Sequence, residues 1–555
     1  MIIDLSSCAD NQFKRAPICV VGAGIAGLIV AHRLRLAGIH VVVLESGPIA
    51  ADNRENPLNR VVSLGRPYHG ALKGRARGLG GTSTMWGGAL LPFLESDLAD
   101  RPSFGLPAWP VALNGLAPFL RDVEVLFGVD EGPYDLEAIA TPMLRQWVPP
   151  SDADFVLRFA KWPNFKKRNV ASLFKAEITK DPGLEIWVNA TVTQFSCDVT
   201  SGRLRSVKAV SAGGRLVDVR ADHFVICAGA IESTRLLLLL DRQHSDQFFG
   251  GSSALGRFFH DHISSPVARL HPRQPTDLNR MAGFRFVDGT MRSMRFELSP
   301  AAQVADGVAS AFVHISFASK ESGGFDVLRD VMRSLQRSGW IFPGDLMRLA
   351  KHSPYLARLC YWRFVRGQLL WPQPASYDLN IVAEQLPRAN SRISLSEQID
   401  DLGCPVAAID WRVEAPDIET IRSCLLRFGS YWKRHGCDSI AQLEWILDEV
   451  TPSAMLVPNS ILDIYHPGGT TRMGSNPRTA IVDADLTTFS VRNLSVASTS
   501  VFPSGASANP TLMLMAFGLR LADHLTRIYS DACQMQGGSI DKPYILPFRS
   551  SEGLV

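Results

Sequence analysis

The sequence is poor in everything that staples a chain, anchors it in a bilayer or gives it one strong sign of charge. Its nine cysteines (Cys8, Cys19, Cys197, Cys227, Cys360, Cys404, Cys424, Cys437 and Cys533) form an odd, scattered set with no CxxC pair. That pattern argues against a disulfide framework and against a zinc site. The 57 Lys and Arg against 54 Asp and Glu leave +3 over 555 residues. No global field of that size attracts a polyanion, so no nucleic-acid partner is expected. No uninterrupted apolar run approaches the ~18 residues of a membrane span; Ile18 to Ala31 is broken by three glycines and ends at His32 and Arg33. The opening residues lack a basic region followed by an apolar one and carry no twin-arginine signal, so a cytoplasmic, reducing location is expected.

The chain is too long for one ordinary domain and, at 46% hydrophobic residues, rich enough for sizeable cores. Two or more packed units are expected. The β-branched run Ile18–Val21 leads into Gly22-Ala-Gly24-Ile-Ala-Gly27, an apolar helical stretch to Leu36, and a second run Val41–Leu44 ending at Glu45. Strand, glycine turn, helix and strand in that order supply the context a dinucleotide fold requires, with the pyrophosphate at the helix N-terminus. Glu45 suits ribose hydroxyls and would repel a 2′-phosphate, leaving FAD or NAD and disfavouring NADP. Further on, Gly74 to Gly88 holds six glycines in fifteen residues, a loop whose backbone can press against a flat ligand. Phe224 to Ala228, Gly229 and the following helical residues repeat the strand, turn and helix plan.

The middle of the chain reads as hairpin-connected strands, with one strand-like run over Leu184–Phe195 and shorter ones at Leu204–Val210 and Leu216–Val219. His260-Asp-His262 alternates like metal ligands on a strand, but no third and fourth ligand lie nearby, so no metal is expected. Glu384 or Gln385, in alternating sequence, is a candidate substrate contact, with a solvated strand position the equal alternative. Residues 327–371 carry eight Lys and Arg against Asp330 and Asp345, interleaved with aromatics. That composition suits a membrane interface, an acidic partner or an anionic sugar, or else a solvated helical insertion whose aromatics pack inward.

Near the C-terminus, Tyr465-His466-Pro-Gly-Gly-Thr-Thr-Arg472-Met-Gly474 and Phe502-Pro503 to Asn509-Pro510-Thr511 are the most specific segments. Asn509 reads as an N-cap and Pro510 as the first residue of a helix over Thr511–Leu525.

Together the N-terminal fingerprint, the glycine-rich loop and these C-terminal segments resemble the glucose-methanol-choline (GMC) oxidoreductases, in which FAD accepts a hydride from an alcohol. The resemblance implies an α/β fold: a Rossmann-like FAD-binding domain with a second α+β substrate domain built on an antiparallel sheet. The FAD domain is expected from residues 1–95, 181–265 and 455–535, and the substrate domain from 96–180 and 266–454, with the basic aromatic insertion at 327–371 and a tail at 536–555. It further implies His466 and Asn509 as the catalytic pair. The expected cofactor contacts are Gly22, Gly24, Gly27, Glu45, Gly80, Gly81, Thr82, Gly88, Val192, Ala228, Pro510 and Thr511. Some relatives link the flavin covalently through a histidine in the loop; the corresponding residue here is Met85, so non-covalent FAD is expected. Where many relatives have a second histidine this chain has Asn509, which leaves His466 as the base. The run before Phe502-Pro503 departs from the family's Gly or Asp, with Ser498-Thr499-Ser500 instead. The expected substrate is a small-molecule alcohol, a secondary or hemiacetal hydroxyl of a sugar or glycoside, and the acceptor oxygen, a quinone or another carrier. The alternative within the family is a flavin-containing lyase or decarboxylase. Residues 327–371 are a candidate for peripheral contact with a membrane or a protein, and the membrane contact would make the cytoplasmic chain membrane-associated.

Overall fold

Ile18–Val21 and Val41–Leu44 are buried on both faces, as expected of parallel strands covered by helices above and below. In the computed structural model, which describes residues 1–50, 56–319, 323–446 and 461–535, they lie side by side at the centre of an eight-stranded sheet. The order is Ile2–Asp4, Leu184–Val188, Val41–Leu44, Gln12–Val21, Leu216–Ile226, Arg203–Val210, Thr191–Asp198. The first five run parallel, the last two form an antiparallel extension, and Leu494–Val496 adds parallel to the end of Leu216–Ile226. Helix Ile25–Leu36 packs against the C-terminal helix Thr511–Met535, and the bidentate ion pair of Arg33 with Asp523 locks the two together.

A second buried core belongs to an antiparallel sheet in which Arg285–Val287, Thr290–Leu298, Ala311–Ser319, Ala375–Glu384, His262–Pro272 and Ala441–Trp445 neighbour one another in that order. Phe155–Trp162 joins it beside Thr290–Leu298, bringing in an earlier stretch of chain. The long helix Ala415–Arg434 packs on Ala375–Glu384 and Ala311–Ser319. The α/β class with a parallel dinucleotide sheet and a second, antiparallel sheet is therefore what the chain adopts. The tail 536–555 and the expected boundary at 454–455 lie outside the described residues. Among the described residues no helix is long and apolar enough to cross a membrane.

Three local expectations are corrected. The run Leu184–Phe195 is two strands, because Asn189 takes a left-handed conformation (φ 54°), which its short polar side chain tolerates. The turn is held by Asn189 N–H donating to Gly47 O and Ala190 N–H to Glu45 O, each 2.8 Å. Conversely, the pieces at Leu216 and Phe224 are one 11-residue strand, because its partner Gln12–Val21 runs past the end of the hairpin. The C-terminal helix begins at Thr511, with Pro510 O accepting from Leu514 N–H at 2.9 Å. Pro510 thus takes the cap position and Asn509 points elsewhere.

Candidate active site

The parallel strands end at a cavity of about 530 Å³, within the range of small-molecule and cofactor sites. Twelve of the fourteen residues singled out in the sequence line it: Gly22, Gly24, Glu45, Gly81, Thr82, Gly88, Val192, Ala228, His466, Asn509, Pro510 and Thr511. Gly27 and Gly80 stand behind the wall. A Cβ on Gly27 would lie 1.9 Å from Gly22 O, so this glycine sets the approach of helix to strand. A Cβ on Gly80 (φ 93°) would strike Asn169 Oδ1 at 2.5 Å.

The lining suits a dinucleotide. Gly24 and Gly229 both face the cavity, and a Cβ built on either meets no neighbouring group within 4 Å, so the backbone itself forms the cradle. Helix Ile25–Leu36 starts at Gly24 with no side-chain cap and no acidic residue in its first turn. Its free N–H groups and positive end are left for an anion such as a pyrophosphate. Glu45 is buried, and its carboxylate accepts from Ala23 N–H (2.8 Å), Gly47 N–H (2.8 Å) and Gly78 N–H (2.9 Å). Three of the ~four acceptor positions of a carboxylate are thereby used, leaving one for a ribose hydroxyl. Glu45 also acts as a clasp tying the first glycine turn to the glycine-rich loop. Burial raises its proton affinity and the three donors pull it back. Ser498 and Thr499 line the cavity where the family pattern is altered; Thr499 Oγ1 donates to Pro467 O at 2.7 Å. Met85 also lines it.

His466 stands in the cavity wall with the buried His262 behind it. His262 Nε2 is 2.6 Å from Ala506 O and 3.2 Å from Gly505 O. Carbonyls only accept, so Nε2 carries the proton. Burial holds His262 below its ordinary pKa and the ring neutral, which makes Nδ1 an acceptor. His466 Nδ1, 2.8 Å away, must then be the donor. One tautomer of His466 follows: N–H at Nδ1 and a lone pair at Nε2. That Nε2 faces Asn509 Nδ2 at 3.4 Å. Burial, the His262 ring and the Arg295 cation hold His466 well below the ordinary histidine value.

The backbone around the pair is fixed with equal care. Asp261 Oδ1 accepts from the N–H groups of His262 (2.6 Å) and His466 (2.8 Å), and Oδ2 accepts from Tyr68 OH at 2.5 Å. Burial pushes Asp261 up to about 7 against those hydrogen bonds. Asp261, His262 and His466 do lie within 4.8 Å of one another, but each polar atom that faces the cluster already has a protein partner. Tyr465 (φ 68°) and Ala506 (φ 53°) both take left-handed conformations, and such strain collects at sites that the surroundings over-determine. His260 packs beneath Pro467-Gly-Gly: a Cβ on Gly468 would meet its Nε2 at 2.7 Å and one on Gly469 would meet Phe258 O at 2.1 Å.

Glu384 and Gln385 do not line the cavity. Glu384 is fully buried in a bidentate pair with Arg101 (2.7 and 2.8 Å), which takes its pKa down to about 2, and it accepts from Gly505 N–H at 3.2 Å. Gln385 bonds Trp411 Nε1, Asp261 N–H and Arg412 O. Both brace the loop and strand that hold His262. His262 as the partner of His466 is not evident in the sequence, where its one signal is the alternation at 260–262, a pattern shared with metal ligands.

A parallel-sheet cavity with a glycine cradle, ending at a neutral histidine beside an asparagine, suits an FAD-dependent oxidoreductase acting on CH–OH groups. Comparison with known proteins agrees. Residues 387–518 match the family model described as GMC oxidoreductase, and residues 20–62 match that of an NAD(P)-binding Rossmann-like domain. The chain is 23% identical to the fructose dehydrogenase large subunit of Gluconobacter japonicus, over 93% of this chain and 98% of that one. It is 22% identical to 6'''-hydroxyparomomycin C oxidase of Streptomyces lividus, over 92% and 91% respectively. Its fold is similar to that of pyridoxine 4-oxidase from Mesorbium loti, at 18% identity, TM-score 0.60, and coverage of 92% and 99%. The family match spans residues 387–518, and with the full-length relatives it supports a GMC-type oxidoreductase that uses FAD.

Proposed function

We propose that this protein oxidises a secondary or hemiacetal hydroxyl of a sugar or glycoside, with His466 as the base and Asn509 as the orienting group. The observation that carries the reading is the His466 and Asn509 pair, set 3.4 Å apart on the wall of the dinucleotide cavity with the lone pair of His466 Nε2 turned to Asn509. A hydroxyl entering between them donates its O–H to His466 Nε2 and accepts from Asn509 Nδ2. FAD, when bound, would supply a hydride acceptor for the carbinol carbon. Asn509 neither takes nor gives up a proton in this exchange, so the O–H proton goes to His466 alone. His262 keeps Nδ1 of His466 occupied, so the incoming proton has one place to go. The carbohydrate class is supported by the names of similar proteins, a fructose dehydrogenase subunit, a hydroxyparomomycin oxidase and a paromamine oxidase.

Anaerobic mixing of the yellow holoenzyme with sugars, glycosides, sugar acids and simple alcohols tests this. Bleaching of the flavin band by carbohydrates is expected; bleaching by simple alcohols alone refutes the substrate class. Conversion of a hydroxynitrile or fatty acid without bleaching by any alcohol would give the site to a lyase or decarboxylase. Oxygen and quinones added to the bleached enzyme then identify the acceptor.

A further inference from the structure

Trp340, Phe342, Leu346, Met347, Phe364 and Val365 are each more than half exposed, all within 26 residues. They belong to an insertion of three mutually packed helices, Gly324–Ser338, Pro343–Ala350 and Ser353–Phe364, of which the middle one buries no residue. An apolar surface of that density on an otherwise ordinary exterior marks an interaction site.

The same segment is cationic. Arg333, Arg337, Lys351 and Arg358 are exposed, and among the described residues none of them makes an ion pair. The acidic side chains within 327–371, Asp330 and Asp345, both lie beside Arg348, at 4.0 and 3.6 Å.

The inner side is firmly anchored. Gln336 is buried and donates from Nε2 to Ser83 O and Trp86 O, each 3.1 Å, in the glycine-rich loop. Trp362 is buried, and Tyr355 OH donates to Leu370 O at 3.1 Å. The aromatics of the segment therefore divide: some pack inward, while Trp340, Phe342 and Phe364 face out.

We propose that the outer face of this insertion seats the protein on an anionic lipid bilayer. Trp340, Phe342, Leu346 and Met347 enter the headgroup layer while Arg333, Lys351 and Arg358 meet lipid phosphates. The core of a protein–protein interface is depleted of charge, and the uncompensated cations carried by the same insertion as the apolar side chains would be stranded there. At a bilayer surface the same mixture is satisfied, since aromatic and aliphatic groups bury a few ångströms deep beside anionic phosphates. The proposal does not depend on which alcohol the enzyme oxidises.

The test is co-sedimentation of the holoenzyme with vesicles of phosphatidylcholine alone and with about one third phosphatidylglycerol. Binding to the anionic vesicles, lost in 0.5 M salt, is expected. Each Lys or Arg at such a surface contributes roughly fivefold to partitioning, so the triple variant Arg333→Gln, Lys351→Gln, Arg358→Gln loses about 100-fold. A second variant, Trp340→Ser, Phe342→Ser, Leu346→Ser, Met347→Ser, also stays in the supernatant. Unchanged flavin content and thermal midpoint show that both variants are folded. A wild-type protein that ignores anionic vesicles, or a charge variant that binds as the wild type does, overturns the proposal. So does retention on immobilised polyglutamate without vesicle binding, which gives the face to an acidic protein.

Discussion

Replacing His262 by Leu tests the tautomer argument, because it removes the acceptor of His466 Nδ1–H while keeping an apolar filling of similar size. The ring then has two choices. It can keep its proton at Nδ1, buried and unsatisfied, at a cost of about 1–3 kcal/mol. Otherwise the proton moves to Nε2, where the cavity can satisfy it and where it abolishes the base. The competent tautomer falls by the corresponding factor, roughly 5- to 150-fold, and the rate of anaerobic flavin reduction falls with it. Both tautomers hold the same number of protons, so the deficit is constant across the pH plateau. A charge effect would instead appear as a displaced pH profile. His262→Gln is expected to recover most of the rate, since its amide can donate to Ala506 O and accept from His466 at once. Stopped-flow reduction of holoenzyme with equal flavin content reads all three proteins. A Leu variant within twofold of wild type, or a Gln variant as slow as Leu, refutes the reasoning.

Other consequences are as direct. His466→Ala should slow flavin reduction by at least ~10²-fold while retaining FAD, because a positioned general base typically contributes 10²–10⁴; full reduction rates would remove His466 from the reaction. Since burial lowers the proton affinity of His466, the neutral base persists as pH falls through 6.5, and activity declines only nearer the depressed value. The acid limb of kcat is therefore expected below pH 6.5, and a half-maximal point above it contradicts the assignment. Arg101→Ala leaves Glu384 buried without its cation, which costs about 3–5 kcal/mol; urea unfolding is the check, and adding Glu384→Gln should restore part of the loss. Gly27→Ala places a methyl 1.9 Å from Gly22 O, so the variant should purify with far less flavin per chain than wild type.

The parts of this site that were legible in the sequence are those whose chemistry is local. The first glycine turn needs its strand, glycines and helix in one unbroken stretch, and His466-Pro-Gly-Gly and Asn509-Pro-Thr are contiguous. Each therefore carries its own signature. His262 carries none, because its partner is 204 residues away and only the folded sheet brings their nitrogens to 2.8 Å. Glu384 illustrates the opposite failure: alternation showed a strand but not which way its side chain faces, and Arg101, 283 residues away, draws it inside. The break at Asn189 was signalled in Leu184–Phe195 only by one Asn-Ala pair between strand-forming stretches, and the turn is dictated by Glu45 and Gly47 across the sheet. Asn509 read as a cap because its position and residue type were right for one, while the structure spends its amide on His466.

The strand Leu494–Val496 occupies the edge of Phe224–Ile226 that the hairpin leaves open. A ribosome adding ~5–20 residues per second needs roughly 15–50 s to travel from residue 226 to residue 494. For that interval the nascent chain displays a bare, fully apolar strand edge, and no complete cofactor pocket exists to draw it into order. Yield in a host cell should then respond to chaperone supply and to slower, cooler synthesis more than to added flavin, because the vulnerable species precedes the one that flavin can bind.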